Sequence, residues 1–178
     1  MRQIVGSIEG EYRRYKATAE GAIEQLNDGQ LCLTTSSGGN SVAVLAWHIS
    51  GNLASRFTDF LDSDGEKPWR DRETEFLNRT VSRAELREKW EAGWSVLFAS
   101  LAGLDDERLH ATVTIRGVPL SVHDALHRSL AHASYHVGQI VFLAKQLRDG
   151  QWRYLSIPPG GSAAYNANPV GEKPPGSR

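Results

Sequence analysis

Apolar residues recur at three- and four-residue intervals from Ile4 through Ile8, Tyr12, Tyr15, Ala19 and Ile23 to Leu26, with Glu, Arg and Lys between them. That spacing lays one apolar stripe along a helix and predicts an amphipathic helix over about residues 2–26. Asn27-Asp28-Gly29 is expected to stop it. The Ser36-Ser37-Gly38-Gly39-Asn40 loop can cap the next helix. That second helix is expected over about residues 41–61, burying Val44, Leu45, His48, Leu53, Phe57, Phe60 and Leu61. Ser82-Arg83-Ala84-Glu85 forms a capping box. It opens a third helix that carries Leu86, Trp90, Trp94, Leu97, Phe98 and Leu101 and stops at Gly103. Thr112-Val113-Thr114-Ile115 alternates, breaks at Arg116-Gly117 and resumes at Val118-Pro119-Leu120, the pattern of a short hairpin. A fourth helix should run from Ser121 to about Asp149, closed by Gly150.

Between the second and third helices, residues 62–80 form a polar, charged connector containing Pro68 and Trp69. A loop of that length in a compact domain is usually functional or packs as a unit of its own. Residues 151–178 are dense in Pro and Gly, which by itself excludes a helix there. They are expected to form an irregular tail on the helices, with the last eight or so residues disordered. Four long helices and little strand predict an all-α domain over residues 1–150, a four-helix bundle with a short hairpin before its last helix.

Composition narrows the class of protein. Of 178 residues, 40% are hydrophobic and 23% charged, which is globular rather than disordered composition. Lys and Arg number 20 against 21 Asp and Glu, a net charge of −1. A broad electrostatic nucleic-acid surface would need a clear basic excess, so no nucleic-acid partner is expected. Cys32 is the single cysteine and has no internal disulfide partner, which points to a reducing compartment. The apolar runs are far shorter than the roughly 18 residues of a membrane span. The N-terminal stretch lacks an apolar signal core. The expected location is cytoplasmic, with no membrane partner.

Histidine placement is the unusual feature: four of the six lie between positions 123 and 136. On a helical wheel, Val122, Ala125, Leu126, Ser129, Ala133, Val137, Ile140, Leu143, Ala144 and Leu147 share the core side. His136 falls inside that stripe and His132 at its edge, while His123 and His127 fall on the polar side. Histidines four apart can aim their rings at one point, as metal sites require. His48, mid-helix in an apolar run, is the available third ligand. A lone inward histidine is more often a hydrogen-bonded core residue than a ligand, and Ser129, Tyr135 and Gln139 are possible partners. Three buried imidazoles without any partner would cost about 1–3 kcal/mol each, which favours one shared cation.

Trp47-His48-Ile49-Ser50-Gly51-Asn52, followed by Arg56-Phe57 and Phe60-Leu61, resembles the second helix of DinB-like proteins. His132-Ala133-Ser134-Tyr135-His136-Val137-Gly138-Gln139-Ile140 resembles their last-helix signature. Asp64-Gly65-Glu66-Lys67-Pro68-Trp69 is similar to an uncharacterised branch of that superfamily. The resemblance covers about residues 2–150. It implies a four-helix bundle holding a divalent metal on His48, His132 and His136, and a homodimer. Relatives implied by it include bacillithiol transferases and mycothiol-dependent maleylpyruvate isomerase, which use a low-molecular-weight thiol.

Three neutral imidazoles suit zinc or nickel first, then iron, cobalt or manganese. Ala133-Ser134-Tyr135 stands between the paired histidines, so the glutamate base of a zinc protease is absent and a peptidase is disfavoured. Asn52, one turn after His48, could orient a substrate or simply be solvated. Arg56, two turns on, could take a carboxylate or phosphate or pair with an acid such as Asp59. Gln139 could support His136 from behind or face water. Cys32 is expected to act as a small hydrophobe, and the five tryptophans as core and loop anchors. The expected function is metal-dependent transfer chemistry on a small molecule. The alternative is a non-catalytic, dimeric helical protein that binds a metal or ligand.

Overall fold

Three of the four long helices begin at a serine whose side chain accepts a backbone N–H from the first turn. Ser41 accepts from Val44, Ser82 from Glu85 and Ser121 from Asp124. Glu85 completes the capping box by accepting the Ser82 N–H at 2.7 Å. The structure, a computed structural model, describes residues 1–172. In chain order its α-helices are α1 (Gln3–Ile23), α2 (Asp28–Cys32), α3 (Val42–Phe57), α4 (Arg72–Glu75), α5 (Arg83–Ala102), α6 (Val122–Arg148) and α7 (Ser162–Ala167). Strands β1 (Thr112–Ile115) and β2 (Val118–Ser121) form an antiparallel hairpin directly before α6, with Val113 opposite Leu120. The chain is mostly helical, as its periodicity predicts.

The first helix is capped from a distance. No side chain of its own start serves; instead Asp106 accepts the N–H groups of Gln3, Ile4 and Val5 at 2.8, 3.1 and 3.0 Å. A carboxylate there also complements the positive end of the helix. Helix α1 packs on α6, α6 on α3, α3 on α5 and α5 on α1. Tyr12 meets Phe57 and Trp94 edge-to-face between them, with ring centroids 6.4 and 6.2 Å away. Gly93 lets α5 lie directly against the Ser50 backbone of α3, where any Cβ would collide with main chain.

Several boundaries differ from the sequence expectation. Helix α1 ends at Ile23, before Asn27-Asp28-Gly29 is reached; Asn27 instead caps the extra helix α2, through a capping box with Gln30, and Asp28 and Gly29 lie inside it. Helix α3 stops at Phe57, because Thr58 is extended and Asp59 takes φ 47°. The connector contains α4, capped by Asp71. The tail is not free of helix: α7 forms over Ser162-Ala163-Ala164-Tyr165-Asn166-Ala167. Those residues include neither Pro nor Gly; the breakers Pro159, Gly161 and Pro169 sit at or beyond its ends and delimit it. Expected disorder of the last residues falls mainly on 173–178, outside the described residues, while Val170–Glu172 forms a 3₁₀ turn. The start of the tail is pinned to the turn after α1 by reciprocal hydrogen bonds between the Gln25 side chain and the Arg153 backbone. Trp90 and Trp94 are buried as expected, but Trp69 is exposed. No helix among the described residues is long and apolar enough to cross a membrane.

Candidate metal centre

The packing of α3 on α6 brings three imidazoles together. His48 comes from the middle of α3; His132 and His136 lie one turn apart on α6. Their ring centroids are 5.1 Å (48–132), 4.9 Å (48–136) and 4.6 Å (132–136) apart. One nitrogen from each ring lies within 4.8 Å of one nitrogen on each of the others. A ring nitrogen about 2.1 Å from an ion puts its ring centroid about 3.2 Å away, so two ligands at about 90–110° have centroids about 4.5–5.2 Å apart. All three measured separations fall in that interval. The donor set is therefore able to hold a metal ion. His48 and His136 are buried and His132 is half-buried, as the wheel predicts.

Two of the rings are fixed from behind. Glu75 Oε2 lies 2.7 Å from His48 Nδ1. An ionised carboxylate only accepts, so Nδ1 carries the proton and the Nε2 lone pair of a neutral ring faces the cluster. Arg70 holds Glu75 in turn through two hydrogen bonds of 2.8 Å, from Nε to Oε1 and from Nη2 to Oε2. Phe76 packs on the His48 ring with centroids 4.4 Å apart. On α6, Gln139 Oε1 accepts from His136 Nδ1 at 2.8 Å, and its amide donates to the Tyr135 hydroxyl at 3.3 Å. Carboxylate and amide partners of this kind set ring orientation and tautomer in metal sites.

Glu75, Arg70 and Phe76 all come from the connector, and none of them stands out in the sequence. Their only signal there is the connector's length and charge. Gly51 makes their approach possible: a Cβ at that position would overlap the Glu75 carboxylate. The connector is itself anchored at its other end. Asp64 accepts backbone N–H groups from Glu66, Arg116 and Gly117 at 2.7–2.8 Å. Arg116 and Gly117 both adopt positive φ, 57° and 72°, as a type I′ hairpin turn requires. The β-hairpin and the connector thus hold each other.

The electrostatics favour neutral, ligand-ready rings at His132 and His136. Burial pushes the His132 pKa down to about 3, assisted by the neighbouring His136 and His48 and by Arg70 and Arg56. Burial also lowers His136, against the hydrogen bond it donates to Gln139. Burial alone would raise Glu75, but the hydrogen bonds and charges of Arg70 and His48 carry its carboxyl below the usual range.

The remaining candidates separate. Gln139 does support His136. Asn52 is buried, 9% exposed, one turn beyond His48 on α3. Arg56 is already engaged: its guanidinium donates to the Gly65 carbonyl and, at 3.1 Å, to Glu66, so its acid partner is Glu66 rather than Asp59. Of the alternative histidine partners, Tyr135 meets the His136 ring edge-to-face, with centroids 4.9 Å apart, and its hydroxyl accepts from Gln139, while Ser129 makes no hydrogen bond to any of the three rings. Cys32 is half-buried and packs against the core, its sulfur accepting the Val81 N–H at 3.4 Å. His123 and His127 are exposed on α6, as expected.

The model of a family described as a protein of unknown function, DUF1572, matches residues 2–161. The chain belongs to that family. The DUF1572 match spans α1 to the start of the tail and includes all three clustered histidines as well as Arg70, Glu75 and Gln139. Among curated proteins, none matches the chain.

Proposed function

We propose that this DUF1572 protein is a divalent-metal-dependent enzyme of the DinB-like superfamily, acting as a thiol-dependent transferase on small molecules. Helices α1, α3, α5 and α6 form its four-helix bundle, a reading supported by the way each packs on two of the others. His48, His132 and His136 hold the metal, zinc or nickel. The observation that carries this is the convergence of three imidazoles with centroids 4.6–5.1 Å apart, two of them locked by Glu75 and Gln139.

Among the described residues, no fourth His, Cys, Asp or Glu joins the cluster. Three protein ligands leave a position open, the arrangement of catalytic rather than closed structural sites. That favours an enzyme over the non-catalytic alternative. A divalent ion held there would lower the pKa of a thiol or water toward neutrality, supplying a nucleophile. The protein's own part is positional. Glu75 keeps the His48 proton on Nδ1, Arg70 keeps Glu75 ionised, and Phe76 shields the His48 ring from water. Asn52 lies beside His48 as a buried amide suited to orienting a substrate. No glutamate stands between the α6 histidines to act as a protease base, which supports transfer over peptide hydrolysis. The protein works as a homodimer in the cytoplasm; its exposed Tyr135 and Phe142 on α6 and its single cysteine support those two points.

The test is metal analysis of untagged wild type and His132→Ala, paired with turnover of a low-molecular-weight thiol and an aromatic halide electrophile. About one bound divalent ion per chain, lost together with turnover in the variant, is the expected result. A folded wild type that refuses both zinc and nickel would end the metalloenzyme reading. Bound metal without turnover of any thiol would favour the non-catalytic alternative.

A further inference from the structure

Two histidines on α6 take no part in the buried cluster. His123 and His127 are solvent-exposed, four residues apart, with ring centroids 4.2 Å apart and ring planes at 75°. Neither ring makes a hydrogen bond to any group among the described residues, whereas His48 and His136 are tied to Glu75 and Gln139. Four-residue spacing on a helix aligns two side chains on one face, and two imidazoles so placed can chelate one ion.

We propose that His123 and His127 form a second, solvent-facing metal site that takes copper(II) or nickel(II). The geometry points to this class. With each ring centroid about 3.2 Å from an ion, a 4.2 Å separation corresponds to a ligand angle of about 80–85°, near the right angle of tetragonal or octahedral coordination and short of the tetrahedral one. Imidazole nitrogens also select borderline transition metals over magnesium or calcium. Only two protein donors are present, so water completes the coordination and binding is weaker than in the buried triad. The N-terminal end of α6 carries partial positive charge that opposes a cation, and the Asp124 carboxylate beside His123 offsets it.

The test separates the two sites. Untagged full-length protein carrying His132→Ala and His136→Ala is titrated with copper(II) or nickel(II), by calorimetry and by the d–d absorption of the ion. One equivalent should bind. Adding His123→Gln and His127→Gln should weaken that binding at least about tenfold and abolish retention on a nickel-charged column. Equal binding with and without the two glutamines overturns the proposal and assigns the ion to adventitious groups elsewhere. Should the alanine pair fail to fold, stoichiometry decides in the otherwise wild-type chain: two ions should fall to one in His123→Gln/His127→Gln. An unchanged stoichiometry overturns the surface site. Loss of the ion only when His132 and His136 are removed likewise overturns the surface site.

Discussion

Glu75 reaches across 27 residues of sequence to place its Oε2 2.7 Å from Nδ1 of His48. The carboxylate is buried and held by Arg70, so it is a fixed part of the cluster rather than a mobile counter-charge.

Replacing Glu75 should therefore damage the site more than its place in a connector suggests. Glu75→Gln is expected to weaken zinc or nickel binding about 10–100-fold, measured by competition with a chromophoric chelator. Glu75→Ala also leaves the buried Arg70 with only its longer, 4.0 Å contact to Glu66, and urea denaturation should show up to about 3–5 kcal/mol of lost stability. Affinity unchanged in Glu75→Gln would mean that the carboxylate serves the fold alone.

Protonation of the cluster should oppose folding of the metal-free protein. His132 titrates near 3 in the folded state, well below an ordinary histidine near 6.5. Between those values the unfolded chain binds the proton and the folded chain does not, so stability falls as pH drops from about 6.5 toward 3. Below about pH 4 the loss of the lowered Glu75 and Asp64 carboxylates adds to it. Denaturant midpoints from pH 8 to pH 4 should decline accordingly. In His132→Ala the decline above pH 5 should be smaller; an equal decline would place its origin elsewhere.

Gly93→Ala tests the seam between α3 and α5. The added methyl would meet the Ser50 backbone, which cannot swing aside as a side chain would. Overpacking of this kind costs typically about 1–3 kcal/mol, and the expected readout is a lower denaturation midpoint. Because Ser50 lies two residues from His48, a parallel loss of metal affinity is also expected.

Asp64→Ala should loosen the hairpin without unfolding the helices. Three backbone N–H groups lose their acceptor, two of them in the turn at Arg116 and Gly117. Amide exchange at those two positions should quicken, while exchange in α5 and α6 stays unchanged. Uniform acceleration through the helices would contradict a local role.

Much of the molecule is legible in the order of its residues. Helix α6 runs from Val122 to Arg148 as its period demands, and Ser82 and Glu85 cap α5 as their spacing predicts. The inward facing of His136, the edge position of His132 and the exposure of His123 and His127 follow from 100° per residue alone. Local rules fail where a distant partner makes the decision. Asp106, not a neighbouring serine, caps α1. The short α7 forms because the nearby prolines flank it rather than interrupt it.

What the sequence by itself determined is therefore periodic and local: which residues form the long helices, where most of them start, and which histidines face inward. Tertiary structure alone decided that His48 would meet His132 and His136, that Glu75 and Arg70 would stand behind His48, and that Arg56 would be spent on Gly65 and Glu66. The physical reason is that helix periodicity depends on neighbouring residues, whereas the approach of an irregular connector depends on a clearance left elsewhere. Here that clearance is Gly51, whose missing side chain is the space the Glu75 carboxylate occupies.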